Sequence, residues 1–151
     1  MLQVSDGNAF SLGGVAGHAG VFADVGPLHA LLGQLLFAPA APGTRAGIGV
    51  NDTTARLFTR VANASFSSRA LGWDTNAPGS YRGCGRMSAA TFTHTGYTGT
   101  QLCADPGRGL ATVLLTNRVY PRADARSSHG VHAARQAFSN AVLGVLGVDA
   151  E

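Results

Sequence analysis

The spacing of apolar and polar positions changes several times along this chain, and each change marks an element. Leu28, Leu31, Leu32, Leu35 and Leu36 fall at i, i+3, i+4, i+7 and i+8, the stripe of an amphipathic helix. Pro27 suits its first turn and Asp24 stands just ahead, as helix start signals should. "APAAPGTRAGIG", Ala38 to Gly49, is a loop by its proline and glycine content. Asn51 reads as the N-cap of a short helix carrying Leu57, Phe58 and Val61. The period then shortens. "SRALGWDT" (68–75) is expected to be a strand, followed by a turn through Asn76, Pro78 and Gly79. "ATFTHTG" and "GTQLCAD" form a pair of strands around Tyr97-Thr98, and the loop Asp105-Pro106-Gly107-Arg108-Gly109 is a strong hairpin signal. The run "GLATVLLTN" (109–117) is nearly all apolar, so both of its faces should be covered. Val131, Ala134, Phe138, Val142 and Val145 mark one face of a last helix ending near Gly147. The sum is α+β: a small antiparallel sheet with helices packed on it.

Composition bounds this picture. The 151 residues are the length of one ordinary domain, with no repeat or low-complexity tract. All eleven basic residues are arginine, giving a net charge of +3. They are spread singly, without the clustering or aromatic interleaving of a nucleic-acid footprint, so no nucleic-acid partner is expected. The tightest group, Arg118, Arg122 and Arg126, reads as a solvated face. No run approaches the roughly 18 apolar residues of a membrane span. The start, "MLQVSDGNAF", lacks the pattern of a signal peptide. The default expectation is a soluble, cytoplasmic chain without a membrane partner. Cys84 and Cys103 form no C-x-x-C, and buried or idle thiols are the preferred reading over a disulfide.

The chemistry-bearing residues are few. His94 lies among small residues in "FTHTGYTGT", and glycine in a strand often marks the close approach of a ligand or another backbone. Taken alone, His94 reads as structural. "GGVAGHAG" (13–20) lacks the signature of a phosphate loop, and its His18 reads as a hydrogen-bonded loop residue within a close-packed turn. His129 and His132 are three apart, but no third ligand stands beside them, so no metal is assigned. G-x-S-x-G, S-D-N, S-x-N and Y-x-N are absent, and S-x-x-K is excluded because the chain has no lysine. No nucleophile and base pair is recognisable.

"HTGYTGTQLCADPGRGLATVLLTNRVYP" resembles the third active-site motif of the serine β-lactamase-like superfamily of class C β-lactamases, DD-peptidases and related esterases. In that superfamily a K-T-G or H-T-G tripeptide lies on the strand bordering the active site. "LGGVAGHAGVFADVGPLHALLGQLL" is similar to its Gly-Gly loop and following helix, and "SDGNAFSLGGVAGHAG" to a variant in which His replaces Ser5. "RALGWDT" resembles the strand ahead of the third motif. The likeness runs from Asp6 to about Gly147, in order. It implies one partial domain, residues 1–151, the C-terminal portion of a β-lactamase/transpeptidase-like fold whose N-terminal strands and S-x-x-K region are absent. The implied chemistry is acyl transfer to a serine and hydrolysis of an ester or amide, without metal or cofactor, and the chain alone should be inactive. The alternative is a non-catalytic pseudoenzyme or binding module derived from the same fold. By resemblance His94 and Tyr97 are catalytic, Tyr97 through its backbone N–H in the oxyanion hole, while Thr95, Gly96 and Thr98 bind substrate. A small-molecule ester or amide is then the partner only when the missing part is supplied. Self-association through an exposed edge at 110–115 is a further expectation.

Overall fold

The computed structural model describes residues 3–36, 49–121 and 125–148, with side chains of the last segment described from residue 130. Helix α1 (Gly7–Ser11) is capped by Asp6, whose carboxylate accepts the Ala9 N–H at 2.8 Å. Helix α2 spans Val25–Leu36 with Pro27 in its first turn, and α3 spans Asp52–Thr59. Asn51 caps α3 by accepting the Thr54 N–H at 2.8 Å, as its sequence position implies. The loop expected at 38–49 lies outside the described residues except for Gly49.

Four strands follow: β1 (Asp74–Thr75), β2 (Phe92–Thr95), β3 (Gln101–Asp105) and β4 (Leu110–Leu114), then α4 (Ala125–Val145). They form one antiparallel sheet in the order β1-β2-β3-β4. Strand alternation divides the side chains between two faces. Phe92, Leu102, Ala104, Ala111 and Val113 pack with Leu32, Leu35, Leu36 and Trp73, so α2 covers this face. Cys103 and Leu110 meet Cys84, Met87 and Leu143, so α4 covers the other. The α+β arrangement is as the apolar spacing implies. The strand β4 sits at an edge of the sheet among the described residues.

Three expectations need correction. The strand expected at 68–75 contracts to Asp74–Thr75, because Gly72 is left-handed at φ +80° and the Ala70 N–H closes a turn onto Trp73 O at 3.0 Å. The cysteines are bonded: Cys84 and Cys103 form a disulfide with a Cα–Cα distance of 6.1 Å. Spacing in sequence does not show this, because the two cysteines meet only through tertiary packing, in the cluster with Met87 and Leu143. Finally, α4 buries Arg135, Ser139 and Leu143, not the neighbouring stripe. Val145 is 88% exposed, and with Phe138, Ala141, Val142 and Leu146 it lines a shallow apolar groove. Two adjacent stripes of one helix can both look amphipathic, and the inward one is chosen by what it meets.

The β3–β4 hairpin carries its own electrostatic lock. Asp105 is fully buried and accepts the Ser88 N–H at 2.9 Å, the Ser88 hydroxyl at 2.7 Å and Arg108 Nη1 at 2.9 Å. Burial works to raise its pKa, but the Ser88 bonds and Arg108 together outweigh it and hold the carboxyl below 3.8. A depressed carboxylate contributes its stability in full above its unfolded pKa of about 3.9 and loses it as pH falls through the folded value. Acid unfolding is therefore expected to set in below about pH 4. Asp105→Asn should remove that component and destabilise by roughly 1–3 kcal/mol, since the buried position loses the charge that accepts from Ser88 and Arg108; urea titrations from pH 3 to pH 7 check both.

Candidate functional site

The short β1 has a direct consequence for β2. Its register reaches only Asp74 opposite Thr93 and Thr75 opposite Phe92. Past Thr93, the outer edge of β2 has no strand beside it among the described residues. The Gly96 N–H is turned toward β3, where it donates to Thr100 O at 2.9 Å. By alternation the backbone groups of Thr95 face the open edge. His94 and Thr95 leave the strand on opposite faces. His94 is exposed on the α2 face, edge-on to Trp73 with ring centroids 6.2 Å apart. Thr95 is half-buried on the α4 face.

The strand ends in a tight turn, Gly96 to Gly99, closed by the Gly99 N–H on Gly96 O at 3.0 Å. Tyr97 and Thr98 occupy its two corners. Gly99 has φ +99°, and a Cβ there would run into the Thr116 hydroxyl and Val131, so glycine is required on two counts.

Every carbonyl from residue 96 to residue 100 has a donor. Arg135, buried on α4, gives Nη2 to Gly96 O at 2.9 Å and to Thr100 O at 3.0 Å, and Nε to Gly99 O at 3.1 Å. Its Nη1 donates to the Tyr81 hydroxyl at 2.9 Å. Arg118 Nε donates to Tyr97 O at 2.6 Å, with its guanidinium 4.6 Å from the Tyr97 ring centroid. Thr98 O accepts the Thr116 hydroxyl at 3.0 Å and the Arg118 N–H at 2.9 Å. The N–H of Tyr97, by contrast, meets no acceptor among the described residues, and the residue is 57% exposed. A backbone donor fixed on a rigid corner beside an open strand edge can stabilise negative charge developing on an acyl oxygen.

Arg118 thus grips the turn, where the sequence suggests a solvated face. Arg122 and the side chain of Arg126 lie outside the described residues. His132 stacks edge-on against Tyr81 at 4.5 Å, and the His129 side chain is not among those described. No group of three metal-ligating side chains occurs among the described residues. His18 Nε2 lies 2.9 Å from Asp6 Oδ1, the hydrogen-bonded loop histidine its setting implies. The Ala9 N–H first and His18 second hold the Asp6 carboxyl below its ordinary range.

Residues 2–136 match the family model described as Beta-lactamase. The chain belongs to the beta-lactamase family. Proteins of Salmonella paratyphi B, Salmonella newport and Salmonella heidelberg, each described as "Putative D-alanyl-D-alanine carboxypeptidase", are 36% identical to it over 121 residues. That alignment takes in 77% of this chain and 27% of each relative, so the chain spans about a quarter of their length. No solved structure matches it. The H-T-G strand of the beta-lactamase resemblance is β2, and the sheet and helices fit a portion of that α+β fold.

Of the two arginines that support the site, sequence reading passes over Arg135 and assigns Arg118 to a solvated face. Arginine in a helix with no acidic partner three or four residues away carries no local signal, because its acceptors are carbonyls 35–39 positions distant. The strictness of the turn is testable. Gly99→Ala should destabilise the chain by roughly 1–3 kcal/mol through its left-handed backbone alone, more than an alanine at the unobstructed right-handed Gly26. Denaturant midpoints of the two variants compare them.

Proposed function

We propose that this chain forms the oxyanion wall of a beta-lactamase-family serine hydrolase that cleaves an amide or ester through an acyl-serine intermediate. The observation that carries the reading is the Tyr97 N–H, unpartnered at the corner of a turn whose carbonyls are all anchored. As a serine oxygen attacks the substrate carbonyl, the C=O bond becomes single and its oxygen gains charge. The Tyr97 N–H would donate to that oxygen, a contribution on the order of 3 kcal/mol in the transition state. The nucleophile's own N–H would be the second donor. The open edge at Thr95 lets an extended substrate lie along β2 with its backbone paired, as strand addition does elsewhere. His94 supplies a hydrogen bond or positive charge near the nucleophile, while Thr95, Gly96 and Thr98 contact the substrate. The name of the Salmonella relatives supports a peptide ending in D-alanyl-D-alanine as the substrate class.

No helix among the described residues is long and apolar enough to cross a membrane. The Cys84–Cys103 bridge favours an oxidising compartment over the cytoplasmic default. The edge of β4 is where further strands of the fold, or a second chain, would add.

The serine and lysine of S-x-x-K come from outside these residues, so the test supplies them. The chain is joined behind the upstream portion of a Salmonella relative and assayed for release of D-alanine from a D-alanyl-D-alanine peptide. Tyr97→Pro is expected to lower kcat by roughly 10²–10³ by removing the donor, and His94→Ala to lower it as well. The unjoined chain should take no covalent adduct from a β-lactam by intact mass. Variants that fold and turn over at the parent rate would overturn the assignment.

A further inference from the structure

The Tyr97 N–H cannot be aimed independently of the carbonyl before it. Gly96–Tyr97 is a trans peptide, so the Gly96 C=O and the Tyr97 N–H are fixed antiparallel in one plane. Whatever holds Gly96 O sets the direction of the Tyr97 N–H. Two donors hold that oxygen: the Gly99 N–H at 3.0 Å, which any such turn would provide, and Arg135 Nη2 at 2.9 Å. The first is a bond within the turn and would follow the turn if it rocked. The second comes from α4, outside the turn, and refers the peptide plane to the body of the fold.

From this geometry we infer that Arg135 is the positioning residue of the oxyanion site, setting the orientation of the Tyr97 N–H through the Gly96 carbonyl. The inference rests on the functional reading of Tyr97 given above. Three features of Arg135 suit it to the role. Its planar fork binds Gly96, Gly99 and Thr100 together, so the two ends of the turn are held in fixed relation. A lysine ammonium, a point charge on a flexible stem, cannot hold all three in that relation. Its own position is fixed by burial and by the Tyr81 hydroxyl. Its charge sits behind the Gly96 carbonyl and polarises the peptide, which makes the N–H on the far side a stronger donor. Arg135 never meets the substrate; it acts through one peptide plane.

The test reads that plane directly. Residual dipolar couplings of the backbone N–H vectors are measured on the 151-residue chain and on its Arg135→Lys and Arg135→Ala variants. If the alanine variant does not fold, the lysine variant carries the test. The expected result is a reoriented or averaged Tyr97 coupling, with the couplings of β2 and β3 unchanged. In the joined enzyme, Arg135→Lys should lower kcat by roughly 10²-fold with KM nearly unchanged, the mark of a misaimed transition-state donor. A Tyr97 coupling that keeps its parent value in a folded variant overturns the inference. Failure of the underlying reading looks different: Tyr97→Pro would then turn over at the parent rate, whatever Arg135→Lys does to the coupling.

Discussion

A buried guanidinium facing three backbone carbonyls is the constraint on which the site end of this sheet depends. Removing a charge from water is costly unless its donors are satisfied, and Arg135 meets that requirement with Gly96, Gly99, Thr100 and the Tyr81 hydroxyl. The cost makes the arrangement specific, because a shifted turn would leave the guanidinium without acceptors. The same bonds register α4 against the sheet, and with Leu143 packed on the disulfide cluster they decide which stripe of the helix turns inward. Arg118 and Thr116 grip the turn from the segment after β4. The corner that bears Tyr97 is thus held from two independent elements.

The open edge of β2 depends on a second, smaller decision. Gly72 adopts a left-handed conformation, the chain turns between Ala70 and Trp73, and β1 is left two residues long. A β1 of the length expected from "SRALGWDT" would have paired along His94 and Thr95 and covered the edge where a substrate would lie. The turn leaves Trp73 packed against Phe92 and beside His94. One glycine therefore connects the strand that fails to form with the edge of β2 that stays open.

Much of this was legible in the residues, and the exceptions share a cause. The helix from Val25, the Asn51 cap, the two hairpins and the Gly147 end of α4 follow from local period and turn chemistry. The H-T-G strand points to the beta-lactamase family by its residues alone. The disulfide, the inward face of α4 and the grip of Arg135 did not show. Each joins residues far apart in the chain: 19 positions for the cysteines and 35–39 for the arginine and its carbonyls. Periodicity says what an element can bury, and only the packing partner says what it does bury. The shortened β1 is a different failure. A glycine within a strand pattern can mark a bulge or a break, and nothing in "LGWD" chooses between them.

The bonds between Arg135 and the turn can be observed directly. Across-bond scalar couplings, from the guanidinium nitrogens of Arg135 to the carbonyl carbons of Gly96, Gly99 and Thr100, measure them in solution in the labelled chain. Couplings to all three carbons, with guanidinium protons exchanging far more slowly than those of exposed Arg86, are the predicted result. Absent couplings, with Arg135 protons exchanging as fast as those of Arg86, would contradict it.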